Sequence, residues 1–250
     1  MLRAFAGGSR QALVHLNNTS GGVLGGDRLD LRAELSAGAR VQITTTGATR
    51  IYRPRAGVAE AHSTAHFDLG EDSLLELLPD PLIPYAGSRF AQSTTVNLAP
   101  GATLFWWEVL APGREASGEV FAFEHLRMEA EIRAGGIPIA IDRMHLDPRL
   151  RPLESVARMG ACRYLATLYV CRAGEPATTW RRLQEQLVEH SCTESPDGVI
   201  WGIGSLTCDG LMVRGMARCG ATLVAGLREF WRAARLLLTG ESASLPRKIY

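Results

Sequence analysis

The 250-residue chain is nearly devoid of lysine: Lys248 is the only one among 27 basic residues, and all the others are arginine. The formal net charge is +1, so the chain lacks the excess of positive charge that is typical of proteins that bind nucleic acid or anionic membranes. No apolar run reaches the roughly 20 residues that a membrane-spanning helix needs. The N-terminal stretch also lacks the apolar core of a signal peptide. These absences predict a soluble cytoplasmic protein that binds neither nucleic acid nor membrane.

The signatures of nucleotide binding and of covalent catalysis are missing as well. The five cysteines are widely spaced without a C-x-x-C pair, which is typical of reduced thiols in a cytosol. The glycine-rich segment 21–27 lacks the lysine of a phosphate loop, and no βαβ unit surrounds it. His62 and His66 lie in a strand-like segment, where residues four apart are separated by ~13 Å and do not chelate one ion. No catalytic triad can be read from the sequence, so we predict no enzyme, no catalytic residue and no tight metal site.

Period-two alternation of apolar and polar residues dominates the chain from residue 28 to about residue 142. Four strand-turn-strand units follow one another, and their turn glycines Gly38, Gly70, Gly101 and Gly135 are 32, 31 and 34 residues apart. A unit that returns at a near-constant period predicts a stacked, solenoid-like (β-helical) architecture. The alternative is a sandwich of four unrelated hairpins.

The character of the chain changes after Asp147-Pro148. Helical spacing of apolar residues predicts one helix over about 178–190, N-capped by Thr178 or Thr179, and a second over about 222–238 that stops at Gly240. Short strands are expected between them. Because no linker is evident, we predict one domain over 1–250, β-rich from 10 to 175. Two buried helix stripes are also predicted: Trp180, Leu183, Leu187 and Val188 in the first helix, and Leu223, Leu227, Phe230, Trp231, Ala234 and Leu238 in the second.

Three carboxylates lie in apolar or glycine-rich sequence surroundings, where acidic residues are unusual. Glu108 lies within the string FWWEVL, Asp142 follows an apolar strand, and Asp27 closes the glycine-rich segment. Burying a carboxylate is costly unless it meets an arginine, a cation or water. If the units around Gly101 and Gly135 are equivalent, Glu108 and Asp142 occupy the same place on neighbouring strands, ~4.8 Å apart. The pattern therefore favours either buried ion pairs with nearby arginines or a path for a cation.

Several strings, in order along nearly the whole chain, resemble the urease accessory protein UreD (UreH) family. They are GGVLGGDRL (21–29), TTTGATRIYR (44–53), LLPDPLIPYAGSRF (77–90), LFWWEVLAPGREASGEVFAFEHL (104–126), IDRMHLDP (141–148) and LLLTGESASLPRKIY (236–250). Two departures stand out. The chain begins later than family members usually do, and Asn18-Thr19-Ser20 stand where some members have His-Pro-Pro, so a histidine ligand is not expected there.

The resemblance implies a mainly β protein with two α-helices that serves as scaffold and nickel conduit during maturation of the urease metallocentre. Its implied partners are a UreF-like accessory protein, a UreG-like GTPase reached through it, and apo-urease. Matched motif by motif, the implied metal path runs past Asp27, Thr49, Glu108 and Asp142, with Ni²⁺ in transit and no tightly bound cofactor. We expect Arg181 and Arg235, on the two helices, to face the UreF-like partner.

Two other functions remain as alternatives. A purely structural adaptor would link urease to its nickel-loading GTPase without a metal path. A β-solenoid hydrolase would use Glu108 and Asp142 as an acid/base pair.

Overall fold

The computed structural model describes residues 5–6, 11–191 and 198–246. Strands dominate this part of the chain, and the two long helices lie towards its C-terminal end. In chain order the elements are β1 (Phe5–Ala6), β2 (Ala12–Leu16), β3 (Arg28–Leu35), β4 (Arg40–Thr45), β5 (Thr49–Ile51), β6 (Ala61–Leu69), β7 (Leu74–Leu77), β8 (Leu82–Pro84), β9 (Arg89–Leu98), β10 (Thr103–Leu110), β11 (His125–Ala134), β12 (Ile137–Leu146), β13 (Tyr164–Arg172), α1 (Ala177–Ser191), β14 (Ile200–Ser205), β15 (Gly210–Ala217) and α2 (Gly220–Thr239).

The strands form two mixed sheets. The ten-stranded sheet runs β1-β2-β4-β7-β10-β13-β15-β14, with β8 pairing with β10 and β5 pairing with β8. The five-stranded sheet runs β12-β11-β9-β6-β3. From β3 to β10 the chain passes back and forth between the sheets: β3, β6 and β9 belong to the five-stranded sheet and the other strands to the ten-stranded sheet. Corresponding strands of consecutive units pair in parallel.

The turns that carry the chain between the sheets stack on one another. The amide of Gly70 donates to the carbonyl of Leu35 at 2.8 Å, and the amide of Gly38 donates to the carbonyl of Glu71 at 2.8 Å. A Cβ added at Gly70 would lie 2.7 Å from the Leu35 oxygen, so this close backbone approach requires glycine. The regular glycine spacing in the sequence therefore reflects a physical contact between consecutive turns.

Both predicted helices are present. The stripe predicted for α2 is buried in full, and α2 ends at Gly240, whose φ of 70° and amide bond to the Leu236 carbonyl close the last turn. On α1 the stripe is buried except for Val188, which is 42% exposed. The helix begins at Ala177, so both Thr178 and Thr179 lie inside its first turn, and the prediction that one of them is the N-cap is wrong.

The ten-stranded sheet lies in the middle of the molecule. One face packs on α1 and α2 through side chains such as Phe105, Trp107 and Val109 of β10. The opposite face packs on the five-stranded sheet, where two apolar clusters fill the space, one around Trp106 and Phe67 and one around Phe90. Alternate residues of β10 therefore face different layers.

The mainly β prediction with two helices in the C-terminal part is confirmed, whereas the β-helical arrangement and the single domain stay predictions. One sequence interpretation is wrong. The turn at Gly135 joins β11 and β12, which form an antiparallel hairpin inside the five-stranded sheet, so the fourth unit is not equivalent to the third. Of the two helices in the described ranges, neither is long and apolar enough to cross a membrane.

Candidate functional site

Polar side chains separate the two apolar clusters between the sheets. Glu108 lies on β10, Thr167 is its partner on β13, and Arg214 is the partner of Thr167 on β15. Directly opposed residues of antiparallel strands point to the same face. This row faces Gln92 and Asp142 of the five-stranded sheet, both of which it contacts. A polar layer thus crosses an otherwise apolar interior.

A cavity of about 1140 Å³ opens beside this layer. Both sheets line it: Gln92 and Thr94 come from β9, and Trp106 and Glu108 come from β10. Exposed residues such as Asn18 also belong to its lining, so the cavity communicates with solvent. The carboxylate of Glu108 is therefore reachable from outside although it lies deep between the sheets.

The surroundings of Glu108 in the cavity change its acidity. The Nε2 group of Gln92 donates a hydrogen bond to its Oε1. Burial is the main effect and raises the pKa of Glu108, the hydrogen bond from Gln92 lowers it, the charge of Asp142 raises it and the charge of Arg214 lowers it, leaving a pKa of about 7. Glu108 is thus poised between its neutral and charged forms near neutral pH.

Asp142 is held in an ion pair. Its Oδ2 accepts a hydrogen bond from the Tyr169 hydroxyl at 2.7 Å and another from Nη2 of Arg214. Burial and this bond to Asp142 raise the pKa of Tyr169, so its hydroxyl remains a neutral donor. Asp142 does not belong to the cavity lining. An ion pair with a nearby arginine was one of the two alternatives from the sequence, and the observed partner is Arg214 on β15, 72 positions away.

Glu108 and Asp142 come together in a way the sequence did not predict. They were expected one strand spacing apart in one sheet, whereas they belong to different sheets and approach each other across the sandwich. They are close enough for the Asp142 charge to act on the pKa of Glu108. The proximity was foreseen, but the repeat equivalence from which it was argued is wrong.

The other two predicted path residues lie apart from each other. Thr49 lines the cavity at the start of β5. Asp27 is outside the cavity lining; its Oδ2 accepts the amide of Leu24 at 2.8 Å, so it closes the glycine-rich turn. The cavity therefore unites Thr49 and Glu108, with Asp142 behind Glu108 and Asp27 elsewhere.

Comparison with known proteins assigns the chain to a family. A family model described as UreD urease accessory protein matches residues 1–249. A urease accessory protein UreD of Herpetosiphon aurantiacus is 42% identical over 251 aligned residues, covering all of this chain and 87% of the relative. The chain belongs to the UreD family. A urease accessory protein UreD of Opitutus terrae is 36% identical, with 92% of this chain and 80% of the relative covered. A urease accessory protein UreD 2 of Brucella abortus is 31% identical, with 93% and 76% covered.

This UreD-family chain also contains a buried carboxylate that the sequence analysis missed. Glu76 on β7 is 0% exposed and faces the helices. Its oxygens accept hydrogen bonds from Gln11 (2.6 Å), Gln42 (3.0 Å), Trp231 Nε1 (3.0 Å) and Arg235 Nε (2.9 Å). The signal was its place inside the apolar string LLELL, which is the same criterion that selected Glu108.

The prediction that Arg235 faces a partner is wrong. Its side chain is 1% exposed and is paired with Glu76. Its Nη1 also donates to the carbonyls of Glu241 (2.9 Å) and Ser242 (2.7 Å), so it fastens the segment after α2. Arg235 is the i+4 neighbour of Trp231 and shares its buried face. Arg181 on α1 is exposed, as a contact residue must be.

Metal coordination by a preformed cluster finds no support in the part of the chain that the structure describes. Within those residues, no three His, Cys, Asp or Glu side chains are grouped so that they could hold a metal ion. His62 and His66 both lie on β6, where His62 pairs with Glu60 and His66 with Asp68. What the cavity offers instead is a set of separate carboxylates, Asp30, Glu34, Asp80 and Glu108. Of these, Glu108 is bonded to the amide of Gln92, and the hydroxyl residue Thr94 also lines the cavity.

Proposed function

We propose that this chain is a cytoplasmic accessory protein of urease maturation, serving as scaffold and as a conduit for Ni²⁺ on its way to apo-urease. Membership of the UreD family supports the accessory role. The observation that carries the conduit is the solvent-connected cavity between the two sheets, into which Glu108 projects beside Gln92 and Thr94.

The donor set suits a cation in passage. Ni²⁺ binds tightly to sites rich in imidazole and thiolate, and it must leave a conduit as readily as it enters. One carboxylate with amide and hydroxyl groups provides a weak site at which the ion keeps most of its water. Thr49 continues the polar lining away from Glu108. No tightly bound cofactor is needed for this role.

We further infer that the cavity is built by solenoid-like stacking of β units. Each unit from β3 to β10 contributes strands to both sheets, and its turn contacts the preceding turn. The space between the sheets therefore continues along the stacking direction from one unit to the next. Polar residues at inward positions of successive units then line one continuous path.

The proposed partners are a UreF-like accessory protein that binds the helical layer, a UreG-like GTPase reached through it, and apo-urease. The helical layer supports this assignment because the buried stripes of α1 and α2 face the sheet and leave polar faces outward. Arg181 lies on the exposed face of α1, whereas Arg235 is buried and is not proposed as a contact residue.

The decisive experiment compares Glu108→Gln with Glu129→Gln, the same change on the exposed face of β11. Apo-urease is activated in the presence of each variant with the other accessory proteins, and its nickel content is measured by mass spectrometry. We expect Glu108→Gln to assemble normally and to lower the nickel content, while Glu129→Gln leaves it unchanged. Normal nickel loading by a stable, correctly assembled Glu108→Gln variant would reduce the chain to a structural adaptor.

A further inference from the structure

Arg214 is a positive charge behind the cavity, with 38% of its side chain exposed. It lies on β15, and its side chain faces the five-stranded sheet. Its Nη2 pairs with Oδ2 of Asp142, its Nε donates to Oγ1 of Thr167 at 3.3 Å, and Sδ of Met212 lies 4.0 Å from Nη2. These contacts fix the guanidinium between strands of both sheets.

The Arg214 charge changes what the neighbouring carboxylates can do. Glu108 and Asp142 lie near each other between the sheets, and two neighbouring carboxylates favour the binding of a proton or a cation. Arginine remains charged at every physiological pH and donates in several directions at once. With Arg214 in place, Oδ2 of Asp142 already has a cationic partner and the Tyr169 hydroxyl.

We propose that Arg214 is an internal counter-cation that withholds Asp142 from the transported divalent ion, so that Glu108 is the sole carboxylate offered to the ion at this point of the cavity. This inference rests on the proposed conduit function and adds the feature that keeps the site weak. Affinity of oxygen-ligand sites rises with the number of charged ligands. A site with Glu108, Asp142 and the Tyr169 hydroxyl all available would retain an ion that must move on.

Isothermal titration of the full chain with Ni²⁺ alone tests the proposal. Arg214→Gln removes the counter-cation and keeps a hydrogen-bonding side chain, so we expect Ni²⁺ binding tighter by on the order of tenfold or more. Adding Glu108→Gln to that variant abolishes the gain. Arg214→Lys, which keeps the charge, binds as weakly as the unmodified chain. An unchanged affinity in a folded Arg214→Gln variant, checked by circular dichroism, would overturn the proposal.

A second variant carries the test even if Arg214→Gln does not fold. The double change Arg214→Gln with Asp142→Asn removes one charge of each sign and allows a neutral hydrogen bond across the same gap. We expect it to bind Ni²⁺ as the unmodified chain does, because Asp142 is not a ligand when paired. Weaker binding by this double variant would show that Asp142 already serves the ion, and the proposal would be wrong.

The nickel content of urease separates this inference from the conduit itself. If both hold, Arg214→Gln binds Ni²⁺ more tightly and delivers less of it to urease. If Arg214→Gln binds Ni²⁺ more tightly but urease receives as much nickel as before, the role of Arg214 is upheld and the conduit function is excluded. Unchanged binding, together with the delivery defect of Glu108→Gln, upholds the conduit and removes the role of Arg214.

Discussion

The buried pair of Glu76 and Arg235 permits the most quantitative prediction. We consider Arg235→Met, which keeps much of the side-chain volume and deletes the charge. Glu76 and Arg235 are 0% and 1% exposed, so water cannot replace the lost partner. Breaking a fully buried pair by removing one member costs about 3–5 kcal/mol.

The surrounding contacts narrow this range. After the substitution Glu76 keeps three donors, from Gln11, Gln42 and Trp231, which favours the lower end. Two bonds from Arg235 Nη1 to the backbone after α2 are lost as well, at about 1 kcal/mol each. We therefore expect the free energy of unfolding to fall by about 5 kcal/mol, which lowers the melting temperature by roughly 10–20 °C in a chain of this size.

Urea denaturation followed by circular dichroism measures the effect, with Arg232→Met as the matched control on the same helix. Arg232 is exposed and pairs with Glu229 at the surface, so its loss should cost less than about 0.5 kcal/mol. The double change Glu76→Gln with Arg235→Met removes both charges and should be less destabilised than Arg235→Met alone. Equal midpoints for Arg235→Met and Arg232→Met would refute the reasoning.

Three further predictions concern the polar interior and the helical layer. The pKa of Glu108 is raised to about 7 in the folded state, so folding favours its protonated form and the free energy of unfolding falls as pH rises from about 4.5 to about 7. The Glu108→Gln variant should not lose this stability: it should melt like the unmodified chain at pH 4 and at the same or a higher temperature at pH 8. A lower melting temperature of the variant at pH 8 would contradict the prediction. Asp142→Asn leaves Arg214 without its carboxylate and should lower the urea midpoint by the equivalent of about 1–2 kcal/mol, a value reduced because both side chains keep some contact with water; an unchanged midpoint would mean that the pair is immaterial to folding. Arg181→Glu should weaken binding of the UreF-like partner in size-exclusion chromatography while Arg55→Glu, in the β region, leaves it intact, and equal binding by both would exclude the exposed face of α1.

The elements that follow from local pattern could be predicted well. Both helices were predictable because their apolar residues recur three and four positions apart, which places them on one face of a helix, and Gly240 marks the end of α2. The strand-turn-strand rhythm was also recognisable, since the turn glycines make contacts that recur with each unit. Whether neighbouring units place their strands in one sheet or two is decided by long-range pairing, which alternation alone does not encode.

The errors about charged residues have a common cause. Arg235 was assigned to the surface because it was taken to lie off the apolar stripe of α2, although its spacing from Trp231 places it on the buried face. Its partner Glu76 lies 159 positions earlier, and no local pattern connects the two. Arg214 is likewise 72 positions from Asp142. Ion pairs across layers become visible only once the topology is known.

The distance along the chain between Glu76 and Arg235 has a consequence for biosynthesis. The ribosome synthesises β7 and β10 long before it reaches α2. Until then the apolar face that contains Phe105 and Trp107 is not covered by that helix. During that interval the Glu76 carboxylate has no arginine opposite and favours an open, hydrated state. The nascent chain is therefore expected to expose this apolar surface until late in translation. At that stage aggregation competes with folding, and chaperones bind exposed apolar surface.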